Sequence, residues 1–130
     1  ALILKEGKDI SIFATGHMVW HALEAAYELE QIGIDAEIIN IHTIKPMDNL
    51  AVLQSVSKTG CAVVAEEHLF NGGLGDSIAQ LLALNNPIPM EYVAVDDSFG
   101  ESGTPAQLME KYGLTTDNIV KFAKKSIQRK

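Results

Sequence analysis

Residues 61–84 read CAVVAEEHLFNGGLGDSIAQLLAL, and this stretch decides the fold. Its first five residues are all apolar, and no polar residue alternates with them. Such a run predicts a strand that is covered on both faces, as in a parallel sheet. A strand, a polar loop and a returning helix together make half of a βαβ unit. Ligands or partners bind such a sheet at the edge where these loops leave the carboxyl ends of the strands. The helix is predicted by an apolar stripe at helical spacing: Leu74, Ile78, Leu81 and Leu82.

The rest of the chain repeats this alternation of strands and helices. Asp48 is well placed to cap one of the helices. Alternating strands and helices predict a three-layer α/β/α sandwich on a mostly parallel sheet, in one domain that spans residues 1–130. Further strands are expected at 1–4, 10–14, 34–41 and 91–95, and helices from about 17 to 32, from 49 to 58, from 104 to 113, and from Thr115 or Thr116 onward.

Composition narrows the class of protein. The chain has 130 residues, of which 47% are hydrophobic and 21% charged, as in ordinary globular domains. A net charge of −7 argues against nucleic-acid binding, and no run is long enough to span a membrane. Cys61 is the sole cysteine, which indicates a buried thiol in a reducing cytoplasm. The chain starts inside an apolar run without a methionine, so we expect a piece of a longer protein.

The glycine turn has two interpretations. Gly73 and Gly75 supply the first two glycines of G-x-G-x-x-G, but Ile78 occupies the third position. A helix N-terminus attracts anions, which keeps a phosphate or nucleotide site open as one hypothesis. We favour the other interpretation, close packing of the loop on the helix, because a partial fingerprint is a weak signal.

Histidines and carboxylates supply the remaining candidates. His17 and His21 stand at i, i+4, and with His42, His68 and Glu66 or Glu67 they are candidates for a zinc site. Such a site needs three or four ligands in tetrahedral reach, so we favour solvated or hydrogen-bonded histidines.

Glu66 and Glu67 are consecutive and point to opposite faces of a strand, which makes them a poor acid–base pair. We expect one in a salt bridge and one in solvent. No nucleophile and base stand in a recognisable pattern. Trp20 and Tyr27 lie at the margin of the first helix's apolar stripe, where the core edge and a subunit interface are both open interpretations.

Six segments follow one another along the chain: IFATG at 12–16, ALEAA at 22–26, GIDAEIIN at 33–40, IKPMD at 44–48, VAEE at 64–67 with GGLG at 72–75, and FGESG at 99–103 with KYGLT at 111–115. In this order they resemble the C-terminal domain of the transketolase superfamily over essentially the whole chain. This superfamily includes the deoxyxylulose-phosphate synthases and the β subunits of 2-oxoacid dehydrogenase E1. The Phe-Gly-Glu-Ser-Gly loop with its Tyr-Gly-Leu-Thr ending looks most like transketolase, particularly the split, short-subunit kind.

The resemblance implies a five-stranded mixed sheet in order 1-3-2-4-5, with strand 1 antiparallel. It also implies a parent enzyme that moves a two-carbon ketol unit between sugar phosphates in the cytoplasmic pentose phosphate pathway. That chemistry uses thiamine diphosphate and Mg²⁺ or Ca²⁺, held between two other domains, one of which carries a GDG…N motif. Gly75-Asp76-Ser77 and Asn85-Asn86 mimic only the ends of that motif. We therefore assign no catalytic, cofactor-binding or metal residue to this domain, and expect it to be inactive alone.

The resemblance implies that the domain supports the pyrimidine-binding domain and helps to form a homodimer or split-subunit assembly. Alternatives are a domain of an E1 β subunit or deoxyxylulose-phosphate synthase, a docking module for a basic partner, and a free-standing anion-binding domain. The candidate interface residues are Thr15, Gly16, His17, Trp20, Tyr27, His42, Lys45, Asp48, Glu66, Glu67, His68, Gly72, Gly73 and Gly75.

Overall fold

The computed structural model describes residues 2–41, 48–69, 73–95 and 116–130, with the backbone alone for 67–69, 94 and 95. Within these ranges five strands form one sheet in the order β1-β3-β2-β4-β5. β1 is antiparallel to β3, and the other neighbours are parallel, so the expected order and direction are confirmed. The strands are β1 (Leu2–Lys5), β2 (Ile10–Ala14), β3 (Ala36–Asn40), β4 (Ala62–Leu69) and β5 (Met90–Val95).

Helices cover both faces of this sheet and complete the expected three layers. The helices of the described ranges are α1 (Met18–Gln31), α2 (Asn49–Thr59), α3 (Leu74–Asn85) and α4 (Thr116–Gln128). α1 and α4 pack on one face, and α2 and α3 pack on the other. The helix expected at 104–113 and the alternative cap at Thr115 lie outside the described residues. Within the described ranges, none of the helices combines the length and apolar character that a membrane crossing requires.

The core follows from the alternation of side chains along strands that are buried on both faces. All five residues of β2 are buried. Ile12 belongs to the cluster under α1 and α4, and Phe13 belongs to the cluster under α2 and α3. Cys61 lies in the first cluster, and burial raises the pKa of its thiol. The expectation of a buried cysteine is therefore confirmed.

Local signals place most helix boundaries. The Asp48 carboxylate accepts the Ala51 N–H at 3.1 Å, so the expected cap of α2 is confirmed. Gly33 follows α1 with a φ of 83°, a conformation that favours glycine. The expected end of β4 near Ala65 was wrong, because the strand continues to Leu69. Pairing with β5 resumes at Leu69 and Val95 after a register shift, and this extends the strand through its polar residues.

A buried carboxylate ties together the amino edge of the sheet. Glu37 on β3 is 1% exposed and accepts hydrogen bonds from the Gly7 N–H at 3.2 Å and the Ser55 hydroxyl at 2.6 Å. The Lys58 ammonium pairs with the same carboxylate. Burial alone would raise the pKa of Glu37, but these three donors outweigh it and lower the pKa. Glu37 therefore joins β3 to the β1–β2 turn and to α2.

Glu37→Gln is expected to destabilise the protein by about 2 kcal/mol, because the pairing with half-exposed Lys58 is lost and one donor faces an amide. The lowered pKa means that the carboxylate stabilises the fold above its unfolded-state pKa of about 4.3, and that this is lost as pH falls through the folded value. Urea unfolding between pH 7 and pH 3 measures this. The variant should show a flatter acid dependence than the parent, whereas exposed Glu30→Gln should match the parent. Equal slopes for Glu37→Gln and the parent would contradict this role.

Candidate functional site at the carboxyl edge of the sheet

β2, β3 and β4 run side by side toward the carboxyl edge of the sheet. The Thr15 N–H donates to the Ala65 carbonyl at 3.3 Å, and the Ile41 N–H donates to the Ala14 carbonyl at 3.0 Å. Gly16 and His17 follow as exposed residues that lead into α1. Backbone hydrogen bonds thus join the end of β2 to the end of β3 and to the middle of β4. Thr15, Gly16 and His17 follow β2 at this edge.

The structure describes several of the other candidate interface residues only in part or not at all. Asp48 is exposed and caps α2. His42, Lys45 and Gly72 lie outside the described residues, as do the side chains of Glu67 and His68. The backbone places Glu67 and His68 within β4, where the sequence analysis expected a loop.

Glu66 is the organising side chain of the edge. It is fully buried, and its Oε1 accepts the Leu74 N–H at 2.8 Å while its Oε2 accepts the Gly75 N–H at 2.5 Å. These are two of the N–H groups that a helix leaves without an internal partner, and a negative charge also suits the helix N-terminus. Glu66 is therefore a cap that β4 supplies to α3, which sequence reasoning missed because cap and helix are eight residues apart.

Tyr92 on β5 explains why a glycine stands at position 75. A Cβ on Gly75 would lie 1.9 Å from Tyr92 Cε1 and 2.3 Å from Cδ1, so the ring occupies the space of a side chain. The Tyr92 hydroxyl donates to the Gly75 carbonyl at 3.0 Å. Burial raises the pKa of Tyr92, and the carboxylates of Asp76 and Glu66 add to the shift, so the phenol remains a donor at neutral pH.

These contacts bear on the two interpretations of the glycine turn. An external anion at the start of α3 would use the N–H groups of Leu74 and Gly75, and the Glu66 carboxylate already occupies both. Gly73 and Gly75 are buried, and Gly75 is in contact with Tyr92. The geometry favours close packing of the loop on the helix.

The resemblance raised the question of a metal–diphosphate site, and the described residues do not fit one. Asp76 and Asn85 lie at opposite ends of α3, nine positions apart, which is about 14 Å along the helix axis. One ion cannot contact both side chains. In the described part of the chain, no three His, Cys, Asp or Glu side chains form a metal-binding group. His21 Nδ1 lies 3.1 Å from the Thr116 hydroxyl, and His42 is outside the described residues.

Trp20 and Tyr27 lie on the outward face of α1. They are 67% and 66% exposed, so the structure excludes the core-edge interpretation. Together with Leu23, Glu24 and Glu28 they line a shallow groove along the helix. The surface remains a candidate interface.

The fold defines the class of domain: a three-layer sandwich on a mixed sheet in order 1-3-2-4-5, with an antiparallel first strand. Residues 1–119 match the family model described as "Transketolase, C-terminal domain". The chain belongs to this family, within the superfamily of transketolases, deoxyxylulose-phosphate synthases and E1 β subunits.

The relatives agree with this assignment. The chain is 49% identical over 130 residues to "6-deoxy-6-sulfo-D-fructose transketolase subunit SqwH" of Clostridium sp. (strain MSTE9). This match covers 100% of the present chain and 40% of that protein. It is 35% identical over 125 residues to "1-deoxy-D-xylulose-5-phosphate synthase" of Desulforudis audaxviator (strain MP104C), covering 95% of this chain and 20% of that protein. The chain therefore spans two fifths or less of these curated relatives.

A solved structure described as "Split gene transketolase, inactive beta4 tetramer" superposes with a TM-score of 0.95 at 46% identity, covering 99% of this chain and 42% of that chain. Its likeness extends over nearly the whole of the present domain. The confirmed fold is thus that of a transketolase subunit's C-terminal domain.

Gly75→Ala is expected to destabilise the protein by about 3 kcal/mol, because the new methyl group collides with the Tyr92 ring. The double variant Gly75→Ala/Tyr92→Ala removes the collision and should cost less than the sum of the two single variants. Denaturant unfolding of all four proteins measures the coupling. Additive losses would show that the ring does not determine the residue at position 75.

Proposed function

We propose that residues 1–130 form the non-catalytic C-terminal domain of a longer, thiamine-diphosphate-dependent transketolase of the split-gene kind. The parent transfers two-carbon ketol units between sugar phosphates, and its other domains hold the cofactor and Mg²⁺ or Ca²⁺. The relative at 49% identity is described as a transketolase subunit, and the structure at 46% identity as a split-gene transketolase. Identity to the deoxyxylulose-phosphate synthase is lower, which favours the transketolase branch.

The proposal of a supporting, non-catalytic role rests on one observation: a side chain of the domain itself already binds the N-terminus of α3. Ligands of parallel α/β sheets usually bind at the carboxyl ends of the strands. Here the Glu66 carboxylate occupies the N–H groups of Leu74 and Gly75, and the Tyr92 ring fills the adjacent space. These groups hold β4, α3 and β5 together, so we assign them to the rigidity of the edge and not to chemistry.

The role of this edge is contact with sister domains. The turn from Thr15 to His17 and the α2 cap at Asp48 present exposed backbone and polar side chains there. Glu66, Gly73 and Gly75 are buried and support this proposed surface from within. Glu67 and His68 on β4 remain candidates for the surface itself, as do His42, Lys45 and Gly72 from the sequence analysis. The domain supports the pyrimidine-binding domain and takes part in a homodimer or split-subunit assembly. A reducing cytoplasm is the setting that suits the free, buried thiol of Cys61. The pentose phosphate pathway enters the proposal only through the family resemblance.

The test uses the full-length chain that carries these residues, assembled with its complementary subunit, thiamine diphosphate and Mg²⁺. Glu66→Gln should lower the free energy of unfolding by about 1–3 kcal/mol, because an amide cannot accept both N–H groups. The kcat for ketol transfer at a permissive temperature should change less than about tenfold, since loss of a general acid or base costs about 10²–10⁴-fold.

Exposed Glu30→Gln is the matched control and should change neither quantity. A loss of 10²-fold or more in kcat for Glu66→Gln, with the assembly intact, would place Glu66 in the chemistry. Absence of any ketol transfer by the assembled parent protein would overturn the transketolase proposal itself.

A further inference from the structure

A cavity of about 270 Å³ opens beside β5, the last strand of the sheet. It lies toward the amino edge, because it includes the first residue of β5, whereas the contacts of Glu66 lie at the carboxyl edge. We call it the β5 cavity. Its lining includes Leu82 and Ala83 on α3, Pro87 and Ile88 in the connection, Met90 on β5, and Arg129 after α4.

The alternation of side chains along β5 gives the cavity an apolar floor. Met90 and Tyr92 point to the face that α3 covers, and Met90 packs there against the core cluster that contains Leu82. Ile88 packs against the same cluster. The Tyr92 hydroxyl donates to the Gly75 carbonyl, so the polar end of this side chain is already used within the domain. The floor therefore offers mainly carbon surface to a ligand.

The connection between α3 and β5 adds a wall that is poor in hydrogen-bonding groups. Pro87 lines the cavity, and proline has no backbone N–H. The carbonyl of Pro89 accepts the Ala62 N–H at 2.9 Å and the Ser126 hydroxyl at 3.2 Å. A polar group of a ligand would lose its water here without gaining a partner, which is costly. The inner part of the cavity is therefore suited to an aliphatic chain.

Positive charge is in excess beside the cavity. Glu91 points to the opposite face from Met90, and its side chain is 11% exposed. Two cations pair with this carboxylate: Arg129, and Lys125 at 3.6 Å. One carboxylate against two cations leaves one net positive charge, in a chain whose net charge is −7. The charge balance at this point of the surface therefore favours an anion.

Arg129 brings that charge to the cavity and has N–H groups that a ligand can use. In the described part of the chain its side chain donates through Nη1, to Glu91 and, at 3.4 Å, to the Met90 carbonyl. A guanidinium has five N–H groups in a planar fork, which matches the two oxygens of a carboxylate. Nε and Nη2 can form such a pair while Lys125 continues to neutralise Glu91.

We propose that the β5 cavity binds a small aliphatic carboxylate, with its chain between α3 and β5 and its carboxylate on Arg129. A cavity of about 270 Å³ is slightly smaller than the roughly 300–1,000 Å³ of pockets that hold drug-sized ligands, so a short chain suits it and a nucleotide does not. This site goes beyond the proposed function, because it uses neither the carboxyl edge nor the reaction of the parent protein.

The experiment titrates octanoate into the full-length chain and follows binding by isothermal titration calorimetry. We expect saturable binding with a Kd of about 1 mM or tighter, as for a ligand of this size in an apolar cavity with one charged contact. Octan-1-ol lacks the charge and acetate lacks the chain, so each should bind about tenfold more weakly or less well still. Heat that does not saturate, or equal affinities for octanoate and octan-1-ol, would contradict the proposal.

A pair of tryptophan variants tests whether the ligand occupies this cavity. Ala83 lines the cavity from an exposed position of α3, so Ala83→Trp should fill it without disturbing the core and weaken octanoate binding by about tenfold or more. Leu84→Trp is the matched control. It adds the same side chain one residue later, at a position that is 85% exposed and outside the cavity lining, and should leave the affinity unchanged. Equal affinities in the two variants would place octanoate elsewhere.

Charge-removing variants test the contact of the carboxylate. Arg129→Gln should weaken octanoate binding by about tenfold and leave octan-1-ol binding within about twofold, because the alcohol does not use the charge. Lys125→Gln should also weaken octanoate binding, since Glu91 then depends on Arg129 alone. Exposed Lys124→Gln removes a charge from the same helix and should change neither affinity. If Arg129→Gln weakens the acid and the alcohol by the same factor, Arg129 only shapes the cavity and the proposed contact is wrong.

Discussion

The burial of β2 on both faces is the constraint on which the architecture depends. Every residue of Ile10–Ala14 is buried, and its side chains alternate between two apolar clusters. Such a strand needs a neighbour on each side for its backbone groups and a helical layer on each face for its side chains. β3 and β4 supply the first, and the helices supply the second. Ser11 is the polar exception, and the hydroxyls of Ser55 and Thr59, each 2.6 Å away, satisfy it.

Two buried carboxylates hold the opposite edges of this sheet. Glu37 accepts donors from the β1–β2 turn and from α2 at the amino edge. Glu66 accepts the first N–H groups of α3 at the carboxyl edge. Burying a carboxylate is costly unless donors replace its water, and in both places the donors come from a different element than the acid. Each acid therefore fixes the position of a loop or helix relative to its strand.

Local sequence patterns were sufficient wherever the determining contacts were local. The apolar run of β2, the stripe of α3 and the Asp48 cap of α2 each depend on residues within a few positions of one another. The strand order came from the family resemblance, because pairing between distant strands leaves no local signal. The end of β4 was misplaced because its polar residues resemble a loop when the pairing of Leu69 with Val95 is not known.

The sequence predicted where the glycine turn lies in the fold, but it did not predict which contacts the turn makes. A glycine-rich helix start after a buried strand correctly indicated the carboxyl edge, where this class of fold places ligands. What the turn does depends on Glu66 and Tyr92, which approach it from β4 and β5. The sequence shows that position 75 is a glycine, but only the structure shows why: the Tyr92 ring occupies the space that a side chain would need. A glycine-rich helix start binds a phosphate in other proteins, but here it binds the Glu66 carboxylate of the same chain. The helix start favours an anion, and the residues on the neighbouring strands determine whether that anion is a ligand or a side chain.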